Sequence, residues 1–156
     1  MSDVDISAKT FDYAPLIALL GGRRVVRRLI QNEEQAHDAV HRGLPARAMI
    51  ELTRQLPGID VRELQEVMGI SARSFARRKA SPGTRLSPHE SSNVWRLAQL
   101  MTQATRVLGA QEAAERWFSQ PALALSNRRP IDLLKTLPGT QLVQDLLTRM
   151  EYGVYT

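Results

Sequence analysis

The sequence predicts an all-α protein, and three observations carry that prediction. Apolar residues recur at helical spacing from end to end, runs of β-branched or aromatic residues alternating with polar ones are almost absent, and helix-start and helix-stop residues punctuate the chain at short intervals. With 156 residues the chain can form one ordinary domain or two small helical modules that share a seam.

The elements follow in order. Val25, Val26, Leu29 and Ile30 fall on one helical stripe after Gly21-Gly22. Asn32 and Gln35 have the spacing of an N-cap and its returning partner, for a helix that stops at Gly43. Pro45 opens a helix with Ala46, Met49, Ile50, Thr53 and Leu56 on one face, and Pro57 ends it. Ser87-Pro88-His89-Glu90 is a capping box with proline at the first helical position. It starts a long helix with Val94, Leu97, Ala98, Met101, Ala104 or Thr105, and Leu108 inward, and Gly109 as its stop. An Ala/Glu-rich helix to Trp117-Phe118, a segment bounded by Pro121 and Pro130, and a final helix with Leu142, Val143, Leu146, Leu147 and Met150 complete the chain. Core burial is the expectation for those last apolar residues and for Trp117 and Phe118.

Between them, residues 61–79 have helix-turn-helix spacing. Leu64, Val67 and Met68 pack a first helix, Gly69 permits a left-handed turn, Ile70 fills the corner, and Ser71 caps a second helix whose Phe75 points inward. Ser71, Arg73, Arg77, Arg78 and Lys79 are left facing outward or along the flank, and no acidic residue occurs between Glu66 and Glu90. That face suits the phosphates of double-stranded DNA: Arg73 and Arg77 are assigned to bases or groove, Arg78 and Lys79 to phosphates. Two positions depart from the commonest form of the motif, Gln65 where a small residue is usual and Arg78 where an apolar one is usual. A basic helical hairpin that never meets DNA is the competing reading.

Composition narrows the function. The net charge of +5 lies entirely before Ala110, because the remainder of the chain balances five acidic against five basic residues. A basic part beside a neutral part fits one surface for a polyanion and another for a protein, although solvated arginine-rich helices would read the same way. Without cysteine there are neither disulfides nor thiolate metal sites, and a reducing cytoplasm is the expected home. No signal-peptide layout and no membrane-length apolar run occur, so no membrane association is expected.

Catalysis has no visible carrier. His37 and His41 have the i, i+4 spacing of a zinc-hydrolase helix, with Asp38 where the base would stand, but His89, the third histidine, lies in the capping box. Gly21-Gly22-Arg23-Arg24 could cradle a phosphate, yet lacks the Lys-Ser/Thr of a P-loop and a preceding strand. The expectation is a protein with no catalytic residues, no cofactor and no bound metal.

The last third is more specific. Trp117-Phe118, Pro121, Leu123-Ala124-Leu125, Pro130-Ile131-Asp132-Leu133-Leu134, Gly139, and the closing Arg149-Met150-Glu151-Tyr152-Gly153 together resemble the toxin-binding domain of the Xre/MbcA/ParS antitoxin family. The helix-turn-helix upstream stands where that family places its Xre-like reader, and the resemblance runs from about Gly43 to Gly153. Ahead of Pro130, where the family often has a glycine-containing turn, the chain reads Leu125-Ser126-Asn127-Arg128-Arg129.

The resemblance implies an antitoxin of a type II toxin–antitoxin pair. Its partner would be a RES-domain toxin that destroys NAD, held with the antitoxin's C-terminal end at the toxin's active-site entrance, and the shared operon would be repressed through operator DNA. The toxin-facing residues it implies are Met150, Glu151, Tyr152 and Gly153, continuing into Val154, Tyr155 and Thr156, and the area a stable complex must bury adds the Arg149 side of the final helix. Tyrosines near a chain end gain little from self-packing and are enriched at interface hot spots. A stable complex buries on the order of 800 Å² per partner, so the final helix and the Pro130–Lys135 segment are expected to contribute as well.

The expected organisation is an N-terminal helical segment at 1–43 available for dimerisation, an Xre-like helix-turn-helix domain at 44–109, and a toxin-binding domain at 110–156. A homodimer or a larger toxin–antitoxin complex is the expected assembly. The rival readings are a stand-alone transcriptional regulator with a C-terminal dimerisation or sensing module, and a small metallohydrolase built on His37 and His41.

Overall fold

A computed structural model describes residues 11–153, and the described residues form nine α-helices and one 3₁₀ turn with no strand among them. The helices are α1 (Ala14–Leu19), α2 (Glu33–Arg42), α3 (Ala46–Arg54), α4 (Val61–Met68), α5 (Ala72–Ala80), α6 (Pro88–Leu108), α7 (Gln111–Ser119), α8 (Pro130–Leu133) and α9 (Leu137–Glu151). The 3₁₀ turn spans Leu123–Leu125.

Helix α6 is the axis of the molecule. A solvent-facing helix buries one stripe, but α6 buries Val94, Trp95, Leu97, Ala98, Leu100 and Met101 around more than half of its circumference, because α1, α2, α3, α4, α7 and α9 all pack against it. Its start is the capping box anticipated from sequence: the Ser87 hydroxyl accepts from the Glu90 amide at 3.1 Å and the Glu90 carboxylate accepts from the Ser87 amide at 3.0 Å. Burying α6 also buries polar groups, and each has a partner. Ser91 accepts from the Leu44 amide at 2.8 Å, and the Thr102 hydroxyl donates to the Ala98 carbonyl at 2.8 Å.

Asn32 caps α2 as expected, accepting from the Gln35 amide at 2.8 Å. The returning bond lands one residue earlier, from the Gln31 amide to the Gln35 side chain. Pro45 is the N-cap of α3, whose first two amides donate not to a side chain but to the carbonyls of Thr84 and Pro82 in the loop after α5. That loop is thereby fixed to α3.

Two expectations are corrected. Residues 21–31 do not continue a helix: after Val25 and Val26 donate to the Gly22 carbonyl the chain runs as turns and bends, with Val26 and Ile30 buried but Leu29 exposed. Two glycines, two β-branched valines and four arginines within eight residues offer weak helix propensity and like-charge repulsion, so packing of Val26 and Ile30 decides the path. Leu142 is half exposed, because the buried stripe of α9 runs through Gly139, Thr140, Val143, Leu146 and Leu147 and leaves it at the edge. Gly139 itself sits against the Leu133 carbonyl, where any Cβ would collide.

Candidate functional site

The helix-turn-helix forms as its spacing requires. Asp60 caps α4, Gly69 turns the chain at φ 67°, Ile70 is buried in the corner, and the Ser71 hydroxyl accepts from the Ser74 amide at 3.1 Å to start α5. A residue with a side chain would resist that left-handed φ at position 69. Asn93 of α6, which the sequence does not flag, donates to the Met68 carbonyl at 3.2 Å and satisfies an otherwise open end of α4. Leu64, Met68 and Phe75 are buried where α4 packs against α5 and α6 and where α5 packs against α3.

Ser71, Arg73, Arg77 and Lys79 lie exposed on α5, and none has a carboxylate partner among the described residues. Arg78 differs. Its side chain is largely buried, donating to the Arg85 carbonyl at 2.8 Å and pairing with Glu90 at 3.1 Å. It holds the place of the usual apolar residue by burying its stem and handing its charge to the capping box. The expectation that it projects outward as a phosphate cation is therefore corrected, since its guanidinium is already engaged.

Burial pushes the Glu90 carboxyl up, but the amide and hydroxyl of Ser87 and the Arg78 guanidinium outweigh it and hold the group below the usual carboxylate range. The acidic side chains of α4 are also occupied. Glu63 of α4 pairs with Arg129, and Glu66 with Lys135 at 2.7 Å, while Asp132 bridges both cations. The hydrogen bonds from Arg129, with its charge and that of Lys135, hold the Asp132 carboxyl below its ordinary value against the effect of burial. Lys135 is raised, chiefly by its bond to Glu66. These contacts join the first helix of the reader to the segment around α8.

The C-terminal part packs on the same frame. Phe118 is fully buried with Trp117 half-buried edge-on to it, at a ring separation of 5.1 Å. Glu115 of α7, buried, accepts from the Gly58 amide at 3.1 Å and fixes the α3–α4 turn. In the loop before Pro130, Ser126 at φ 57° and Asn127 at φ 60° take the left-handed conformations, and Ala122 pairs across it with Arg128. Residues other than glycine therefore make this turn, with asparagine among the least penalised choices.

Of the expected partner-facing residues, Tyr152 is 69 % exposed and Gly153 is exposed, whereas Arg149, Met150 and Glu151 are partly buried. Glu151 turns toward α6, pairing with Arg106 at 2.8 Å and accepting from Gln103 at 3.1 Å. It anchors the last turn of α9. Val154, Tyr155 and Thr156 lie outside the described residues. Sequence reasoning missed three exposed leucines in this part, Leu123 (84 %), Leu137 (70 %) and Leu142 (49 %), because each lies within an apolar pattern that reads as core.

His37 and His41 stack at 5.7 Å on the exposed side of α2, and no group of three or more metal-ligating side chains occurs among the described residues. No helix among them is long and apolar enough to cross a membrane.

A helix-turn-helix with a basic outer face continues through one shared helix into a second helical unit. Two family models match its two parts: the antitoxin Xre-like helix-turn-helix domain over residues 35–99 and the antitoxin Xre/MbcA/ParS C-terminal toxin-binding domain over residues 103–153. The chain belongs to the Xre/MbcA/ParS antitoxin family. It is 36 % identical over 95 residues to an antitoxin Xre of Yersinia enterocolitica, covering 60 % of this chain and 64 % of that protein. It is 28 % identical over 93 residues to an antitoxin Xre of Photorhabdus laumondii, covering 59 % of this chain and 62 % of that protein. A match to an antitoxin Xre of Pseudomonas putida is 32 % identical over 68 residues, 44 % of this chain and 43 % of that protein. The chain thus spans less than two thirds of the length of each of these relatives. The two family models meet inside α6, the helix that both halves of the structure share.

Proposed function

We propose that this chain is a cytoplasmic antitoxin that neutralises a RES-domain, NAD-degrading toxin by binding rather than catalysis, its C-terminal end blocking the toxin's active site. The observation that carries the reading is the exposed apolar set Leu123, Leu137, Leu142 and Tyr152, which lies within the segment matched by the toxin-binding domain. Within a domain matched to a toxin-binding model, these side chains are the candidates for the apolar centre of the interface.

Tyr152 and Gly153 stand outermost, with Val154, Tyr155 and Thr156 continuing from them, and these supply the blocking segment. Arg149, Met150 and Glu151 hold that segment on α9. Leu137 and Leu142 add contact area, which a few terminal residues alone could not provide.

Repression of the shared operon belongs to the same proposal. Arg73 and Arg77 enter the groove of double-stranded operator DNA, Lys79 grips a phosphate, and Ser71 lies at the N-terminal end of the helix where base edges are met. A dimer, or a complex built with the toxin, presents two such helices to two half-sites, with residues 1–43 available for that association.

The experiment is co-purification. The full chain, untagged, is co-expressed with a tagged RES-domain protein encoded beside it, and a stoichiometric complex is expected, weakened by Leu137→Asp/Leu142→Asp. Absence of a complex, with operator binding by the chain alone, overturns the antitoxin reading in favour of a stand-alone regulator.

A further inference from the structure

A cavity of about 390 Å³ opens between the Gly21–Arg28 turn, the start of α3 and the loop that follows α5. Arg24, Arg27, Arg28, Arg47 and Arg85 all line it, and no carboxylate does. None of the five forms an ion pair with a described residue, although carboxylates engage Arg54, Arg78, Arg106, Arg129 and Lys135 elsewhere. Its floor is small and apolar, with Val26 and Ala39 buried beneath the charged rim.

Two features fix the walls. Arg85 donates one guanidinium N–H to the Gly43 carbonyl at 2.8 Å, which orients its fork and leaves its other donors available. The opposite backbone is held by the bonds from the Ala46 and Arg47 amides to Thr84 and Pro82. Five like charges around one concavity repel one another, and a single multiply charged anion held among them relieves that repulsion at several arginines at once. Guanidinium forks match the oxygens of a phosphate bidentately, and the volume lies near the lower end of small-ligand sites, enough for a phosphoryl group with part of what it is attached to.

The geometry points to a phosphate-binding pocket at this place, separate from the exposed side chains of α5. The phosphate can belong to a DNA backbone, since the Pro82–Arg85 wall follows directly from the end of the reading helix, or to a free phosphorylated small molecule. The chemistry is the same and the sources separate by experiment. This inference stands whether or not the chain binds a RES-domain toxin.

The test is calorimetric titration of the full chain with inorganic pyrophosphate at low ionic strength, beside Arg27→Gln/Arg47→Gln. Both arginines are exposed and have no side-chain ion pair among the described residues, so the variant should keep its fold, verified by an unchanged Tm. Saturable binding is expected in the native chain, weakened about tenfold per arginine removed, the weight of one charge-assisted hydrogen bond. Absence of saturable binding, or binding that survives the substitutions, overturns the proposal. Where pyrophosphate binding is lost in the variant, the salt dependence of duplex DNA binding identifies the source. A slope shallower by about 0.9 per lost contact assigns the pocket to the DNA backbone, and an unchanged slope assigns it to a free phosphorylated ligand.

Discussion

Arg78, near the end of α5, and Glu90, in the first turn of α6, meet at 3.1 Å, and the pair joins the second helix of the helix-turn-helix to the helix that both halves of the protein share. The same Glu90 oxygen accepts from the Ser87 amide, so a single carboxylate closes the capping box and receives the arginine. Removing either partner leaves the other poorly satisfied in a largely buried place.

Glu90→Ala should therefore cost about 2 kcal/mol, combining a lost cap with an orphaned guanidinium. Denaturant unfolding checks this. The effect has a pH signature: because the folded carboxyl lies below its ordinary value, its contribution is complete above the ordinary range and is lost as pH falls through the folded value. The Tm difference between the native chain and Glu90→Gln should be largest near neutrality and shrink on acidification.

Arg78 and Lys79 are neighbours with opposite predicted behaviour. Lys79→Ala should leave stability within about 0.5 kcal/mol and reduce the salt slope of DNA binding by about 0.9. Arg78→Ala should lower Tm and change that slope little, because its charge is already paired. Arg73→Ala should relax sequence preference. Operator binding measured over a salt series, on cognate and scrambled duplexes, distinguishes the three.

This contrast marks where the sequence was legible and where it was not. The capping box, the Gly69 turn and the Ser71 cap are set by neighbours within three residues, and spacing alone reveals them. Arg78 looked like an outward cation because its partner lies twelve residues away in a different helix. The family resemblance places Glu151 at the toxin, and nothing local announces Arg106 or Gln103, which α6 brings to it. The stripe at Val25–Ile30 failed for the opposite reason: its apolar spacing was right and two of its residues are buried, but spacing says nothing of the weak local helix propensity. Leu142 has the apolar character of the α9 stripe but lies at its edge, beside the buried Val143.

Glu151→Ala should loosen the last turn of α9. Amide exchange over Thr148–Tyr152 is expected to quicken by about fivefold, the scale of a lost surface ion pair, while exchange in the middle of α6 stays unchanged. Equal acceleration in both places would show that Glu151 supports the whole fold instead.

Gly139→Ala should be among the most damaging single-methyl changes in the C-terminal domain, because the new Cβ meets the Leu133 carbonyl and one of the two backbones must move. A loss of about 2 kcal/mol or more is expected by denaturant unfolding, with toxin binding reduced in parallel. Gly153→Ala, which meets nothing nearby, should leave the fold intact despite its positive φ.

The central claim is occlusion by the C-terminal end, and the most direct measurement is NAD consumption by a purified RES-domain toxin titrated with the full chain, with a version ending at Gly153, and with Tyr152→Ala. Ending at Gly153 retains the Glu151 anchor, so the fold and the docking face persist. The account predicts suppression at stoichiometric amounts of full chain, and weaker suppression by both altered versions while complex formation is retained. Equal suppression by all three would contradict occlusion by the terminal segment, and no suppression by any of them would contradict the antitoxin reading itself.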